Sequence, residues 1–177
     1  MTELQLRIVL SKMQTNDGRS VLALSFGQPV MLIFLRHFGC TFCREALADI
    51  ADLRPQLEAD GTLVVFVHMA QNELADRYFK KYKLPGAVHV SDPECEYYRA
   101  FGLARGTPHQ LFGLHSWVRG FEAGVLNGHG VGYRPLGDGF QMPGVFVIYG
   151  GEIRESFVHK LASDRPNYAL LSRCCSV

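Results

Sequence analysis

Two cysteines separated by two residues stand in the run Phe38-Gly39-Cys40-Thr41-Phe42-Cys43-Arg44-Glu45. An apolar run, Val30 to Leu35, comes just before them, and a helical pattern begins just after. The pair therefore falls at the carboxyl end of a buried strand and the opening of a helix, where ligands gather in open α/β sheets. A helix N-terminus offers unpaired N–H groups and partial positive charge, and both favour thiolate over thiol. At such sites a cysteine pKa falls from ~8.5 to roughly 3.5–7.5, which makes a nucleophile at neutral pH. The spacing sets the second sulfur about one turn along the same face, in reach of a mixed disulfide or sulfenic acid on the first. Arg36, His37 and Arg44 add positive charge, and Thr41 lies between the sulfurs. The chemistry these residues support is a dithiol–disulfide cycle at Cys40 and Cys43.

Two other uses of the pair compete with this one. A structural zinc site needs four ligands, commonly a second C-x-x-C or a paired histidine set. No second C-x-x-C exists and the seven histidines are scattered, so neither metal nor bound cofactor is expected. Plain packing as small hydrophobes suits Cys43, which falls on the apolar face of its helix, better than it suits both.

The elements around the pair follow from periodicity. Residues 1–29 are expected to form a hairpin or extension around the turn signal Asn16-Asp17-Gly18. Cys43, Ala46, Leu47, Ile50, Leu53 and Leu57 predict a helix over 42–59, kinked at Pro55 and closed by Gly61. Leu63 to Met69 reads as a buried strand. A helix capped by Asn72 follows, with Leu74, Ala75, Tyr78, Phe79 and Tyr82 as its stripe. Ala87 to Val90 is a short strand, and Asp92-Pro93 opens a helix that stops at Gly102. Residues 103–140 are glycine-rich and irregular, with a short helix expected over Leu111 to Phe121. Val145 to Tyr149 and Ile153 to Val158 are strands joined at Gly150-Gly151, and Asp164 with Pro166 opens a last helix carrying Tyr168, Leu170 and Leu171.

This order, β-α-β-α-β-α, a loop, then β-β-α, predicts an α/β fold with a mixed central sheet and helices on both faces. It is the order of a thioredoxin-like fold, as one domain over 1–177 with its core at about 30–172. In that fold a cis-proline precedes the strand that faces the cysteines, which singles out Met142 and Pro143 in Met142-Pro143-Gly144.

Composition sets the outer limits. The chain has 177 residues, 47% hydrophobic and 20% charged, and a net charge of +1. That balance offers no electrostatic case for nucleic acid or an anionic membrane. The first residues lack a signal-peptide pattern, and no apolar run is long enough to span a bilayer, so a cytoplasmic protein is expected. Five cysteines without a signal peptide argue against a disulfide framework. Of the other three, Cys95 is expected as a buried structural thiol in the first turn after Asp92-Pro93, and Cys174 and Cys175 as an untethered tail. The glycines around His129 suggest a surface loop, Trp117 and Arg119 packing, and His159 a strand or surface residue.

The stretch from Phe34 to Glu45 resembles the peroxiredoxin-like branch of the alkyl hydroperoxide reductase/thiol-specific antioxidant family, the branch with selenoprotein L relatives. The likeness continues through Ser91-Asp92-Pro93, Ala100 to Leu103, Trp117 to Gly120, Gln141 to Phe146 and Asp164-Arg165-Pro166. It implies a thioredoxin-like fold, thiol-dependent reduction of a peroxide or disulfide, and regeneration by an external thiol reductant of thioredoxin or glutathione type. True peroxiredoxins carry Pro-x-x-x-Thr/Ser-x-x-Cys. With Cys43 in the peroxidatic position, Cys40 takes the threonine place and Arg36 the proline place. Pro143 stands where the peroxide-polarising arginine would be. These departures favour disulfide exchange in which Cys40 attacks and Cys43 resolves. A non-catalytic binding module on the same scaffold is the reading from another class.

Overall fold

The computed structural model describes residues 1–36, 38, 41–107, 138–161 and 164–175. Five strands form one sheet in the order β3-β2-β1-β4-β5. These are β1 Val30–Phe34, β2 Leu63–His68, β3 Val88–Ser91, β4 Gly144–Tyr149 and β5 Glu152–Val158. β1, β2 and β3 pair in parallel, and β4 lies antiparallel to both β1 and β5. The expected mixed sheet is therefore present, with the hairpin at Gly150 and Gly151, both at positive φ. Tight turns of this kind favour glycine because it has no Cβ to clash there.

Strand alternation divides the core in two. Val30, Leu32, Phe34, Val65, Val67, Phe146 and Ile148 face one layer, with α1 Glu3–Lys12, α2 Val21–Gly27 and α5 Glu96–Ala100. Met31, Ile33, Leu35, Val64, Phe66, Val145 and Val147 face the other, with α3 Thr41–Ala59, α4 Asn72–Lys81 and α6 Tyr168–Ser172. All five residues of β1 are buried, as expected for a central strand covered on both faces.

The N-terminal hairpin is corrected. Thr2 and Gln5 close a capping box over α1, and Leu6, Leu10 and Met13 bury at helical spacing. The Asn16-Asp17-Gly18 turn survives only as a single bridge, Gln14 to Ser20. Because Leu10 is fully buried in the first core, Leu10→Ala is expected to lower stability by ~2–5 kcal/mol in denaturant unfolding. An effect within ~0.5 kcal/mol, the range of surface substitutions, would show that the N-terminal helix is an appendage.

Smaller corrections concern helix starts. Gln71, not Asn72, takes the cap position of α4. The Asp92 carboxylate accepts hydrogen bonds from the N–H groups of Glu96, Tyr97 and Tyr98, while Cys95 occupies the cap in the left-handed conformation. Pro93 is thus in the turn before α5, because Asp92 reaches over it to serve the first turn. Asn167 caps α6, accepting from the Leu170 N–H. α3 runs on through Pro55. The expected helix at 111–121, with Trp117, Arg119 and His129, lies outside the described residues.

Candidate active site

The carboxyl ends of β1 and β2 meet the start of α3, the longest helix described. Cys43 stands in its first turn and is 5% exposed. It lines a pocket with Ile33, Phe34, Leu35 and Arg36 of the β1 end, Ala46 and Asp49 of α3, Pro143 to Val145 at the start of β4, and Tyr168 of α6. Arg36 and Cys43, singled out by sequence, therefore share one cavity with Pro143 from a distant part of the chain. Arg44 is exposed and absent from its lining. Met142 is buried behind Pro143, its sulfur against Gly106. Cys40 and His37 lie outside the described residues, as does the Thr41 side chain. The sequence leaves the isomer at Pro143 open; no peptide bond among the described residues is cis, Met142–Pro143 included.

What fixes this corner is a set of buried hydrogen bonds. The Tyr98 hydroxyl, fully buried, donates to the carbonyls of Leu35 and Val67, the latter at 3.0 Å. Burial first, then the neighbouring Cys43, push its phenol well up, so it remains a donor. Tyr98→Phe is expected to cost about 1–3 kcal/mol, since it leaves buried carbonyls short of a donor. Unchanged stability in denaturant unfolding would contradict this role.

Arg36 donates to the Gly139 carbonyl, tying the β1 end to the segment before Pro143. That segment is held by Gln141, whose amide donates to the Leu103 carbonyl at 2.8 Å, and by Arg105 paired with Asp138 at 2.8 Å. Phe38, between β1 and α3 in the chain, is buried, stacked on Tyr78 at 4.8 Å and against His68 at 5.5 Å.

Several pocket residues were not singled out for this role by sequence. Tyr168 is buried, and burial, then Asp49 and Cys43, push its phenol far up. Arg165 pairs with Glu45 at 2.7 Å on the rim, and the Asp164 carboxylate accepts from the N–H groups of Lys160 and Leu161. His159 lines the same pocket, and its Nδ1 has no hydrogen-bond partner among the described residues. Burial holds it below the usual imidazole range. The β4–β5 register pairs Gly144 with Val158, which brings His159 opposite Pro143. The hairpin signal was the available clue, but a register shift at Val147/Ile148 moves the count by one residue.

Among the described residues no three potential ligands cluster as a metal site, and no helix is long and apolar enough to cross a membrane.

A family model described as AhpC/TSA antioxidant enzyme matches residues 49–160. The chain belongs to this family. The match begins after Cys43, so AhpC/TSA membership rests on the body of the fold and not on the cysteine pair. A chloroplastic thioredoxin-like protein of Arabidopsis thaliana is 26% identical over 155 residues, 82% of this chain and 62% of that protein. The prostamide/prostaglandin F synthase of Salmo salar is 31% identical over 111 residues, 60% of this chain and 54% of its own. The chain thus spans a little over half the length of these relatives. A solved structure of a cysteine-to-serine mutant of Xylella fastidiosa PrxQ superposes with a TM-score of 0.62 at 16% identity, covering 93% of this chain and 88% of that one. The thioredoxin-like, peroxiredoxin-type fold expected from the sequence is the fold observed.

Proposed function

We propose that this chain reduces a hydroperoxide through Cys40 and Cys43 and is returned to the dithiol by an external thiol of thioredoxin or glutathione type. The observation that carries the reading is Cys43 in the wall of the pocket with Arg36 and Pro143, in a chain of the AhpC/TSA antioxidant enzyme family. A thiolate attacks one peroxide oxygen, the O–O bond breaks, and the leaving alkoxide takes a proton. The sulfenic acid so formed is attacked by the second thiol, which gives a disulfide and water. An external dithiol then reduces the disulfide by exchange.

In this reading Cys40 attacks and Cys43 resolves, which fits the burial of Cys43. A second order, with Cys43 attacking, is favoured by its place in the pocket wall. The departures at Arg36, Cys40 and Pro143 keep a disulfide substrate as the alternative to a peroxide. Incubation with a hydroperoxide and a thiol reductant separates these readings. Catalytic loss of the peroxide is the expected result. Reduction of a disulfide substrate without peroxide consumption would favour exchange, and neither activity would leave a binding module.

A further inference from the structure

Cys174 and Cys175 do not form the untethered tail expected of a chain end. They lie on a 3₁₀ turn, Arg173–Cys175, that continues α6. Cys175 packs with Leu171 against the second core, while Cys174 is exposed. Their sulfurs are 3.2 Å apart. Neighbouring residues on a helical turn do not ordinarily face each other, so these two side chains are turned toward one another. The separation is inside the roughly 3.5–4.0 Å of ordinary carbon contacts, although sulfur is the larger atom. Burial first, then the contact with Cys175, push the Cys174 thiol up to about 12.

We propose that Cys174 and Cys175 form a second redox site, separate from Cys40 and Cys43, where a hydroperoxide closes a reversible vicinal disulfide. One of the two sulfurs, as thiolate, attacks a peroxide oxygen; the O–O bond breaks and the alkoxide leaves as alcohol. The other sulfur then attacks the sulfenic acid so formed. The S–S bond forms, the S–O bond breaks, and the hydroxyl departs with the second thiol's proton as water. Two thiols lose two electrons and the peroxide gains them. Closing the bond brings the sulfurs to about 2.05 Å. Adjacent Cα atoms across a trans peptide are only about 3.8 Å apart, below the roughly 4.4–6.8 Å usual for disulfides. The ring is strained, and strained disulfides are readily reduced. Reversal by an external dithiol is built in.

The test uses the whole reduced chain, treated with cumene hydroperoxide, blocked with N-ethylmaleimide and mapped by mass spectrometry. The peptide holding Cys174 and Cys175 is expected to lose the mass of two hydrogens and take no maleimide. Dithiothreitol should restore two blockable thiols. The same closure is expected in Cys43→Ser, which separates this site from the proposed active pair. Sulfinic acid on either cysteine, a bond to Cys95 or to a second chain, or two free thiols after treatment that has oxidised other cysteines would each overturn the proposal.

Discussion

Cys40→Ser is expected to abolish hydroperoxide turnover, with kcat/KM falling by roughly 10³-fold or more, as when a reacting nucleophile is removed. Cys43→Ser is expected to behave differently. With the resolving thiol gone, the first attack still occurs, but the sulfenic acid cannot close to a disulfide. Turnover at this pair then stops after about one equivalent of peroxide, beyond any taken up by Cys174 and Cys175, and the trapped species sits on Cys40. A dimedone label read by mass spectrometry distinguishes the two variants. If the label instead appears on Cys43 in Cys40→Ser, with rapid peroxide consumption, the attacking and resolving roles are reversed. Geometry makes the distinction worth drawing, because Cys43 is both buried and in the pocket wall. Burial alone suits a resolver, and the pocket suits an attacker.

Acidification is expected to destabilise the fold steeply, through a pair of buried histidines on β2 and β3. His68 Nε2 lies 2.9 Å from His89 Nδ1, and His89 Nε2 lies 3.1 Å from the Asp76 carboxylate. Both rings are buried, and Asp76 is exposed. Burial first, then the charge of His89, push His68 from 6.5 down to about 3. Burial also lowers His89, with Asp76 opposing it. Both groups are depressed in the folded chain, so below pH about 6.5 the unfolded chain binds more protons. Their contribution to stability is whole above that pH and is lost as the pH falls toward 3. His68 alone costs about 2 kcal/mol by pH 5 and about 3 kcal/mol by pH 4. That is a large share of the roughly 5–15 kcal/mol typical of a domain. His68→Gln removes the titration while keeping an amide donor, so its unfolding free energy should fall less between pH 7 and 4. An equal slope in the variant and the parent would rule His68 out as the cause. Since Phe38 packs on His68, loss of this corner should reach the loop before α3 first.

The sheet and the position of the site were legible because their signals are local. Val30 to Leu35 is apolar without interruption, and both faces of β1 are covered. Gly150-Gly151 marks its hairpin unaided. The N-terminal helix was hidden for the opposite reason. Leu4 and Ile8 are apolar yet exposed, which blurs the helical stripe of Leu6 and Leu10. The helix at 96–100 starts late because the Asp92 side chain caps across a turn, a contact that no spacing rule displays. His68 and His89 meet only through the parallel pairing of β2 with β3, and His159 reaches the pocket only through the register of β4 with β5. Such contacts belong to the tertiary register, and single-residue patterns do not carry them. The family likeness at Asp164-Arg165-Pro166 was visible, and its structural counterpart is that these residues line the same pocket as Cys43 and Pro143.

The central claim is that Cys40 and Cys43 are one redox couple, and it meets its most direct test in a single thiol map. Reduced protein is mixed with one equivalent of hydroperoxide, quenched within seconds by alkylation and digested without reductant. The account predicts a Cys40–Cys43 disulfide as the main product, removed by a dithiol. Both cysteines recovered as alkylated thiols, with the peroxide unconsumed, would contradict it.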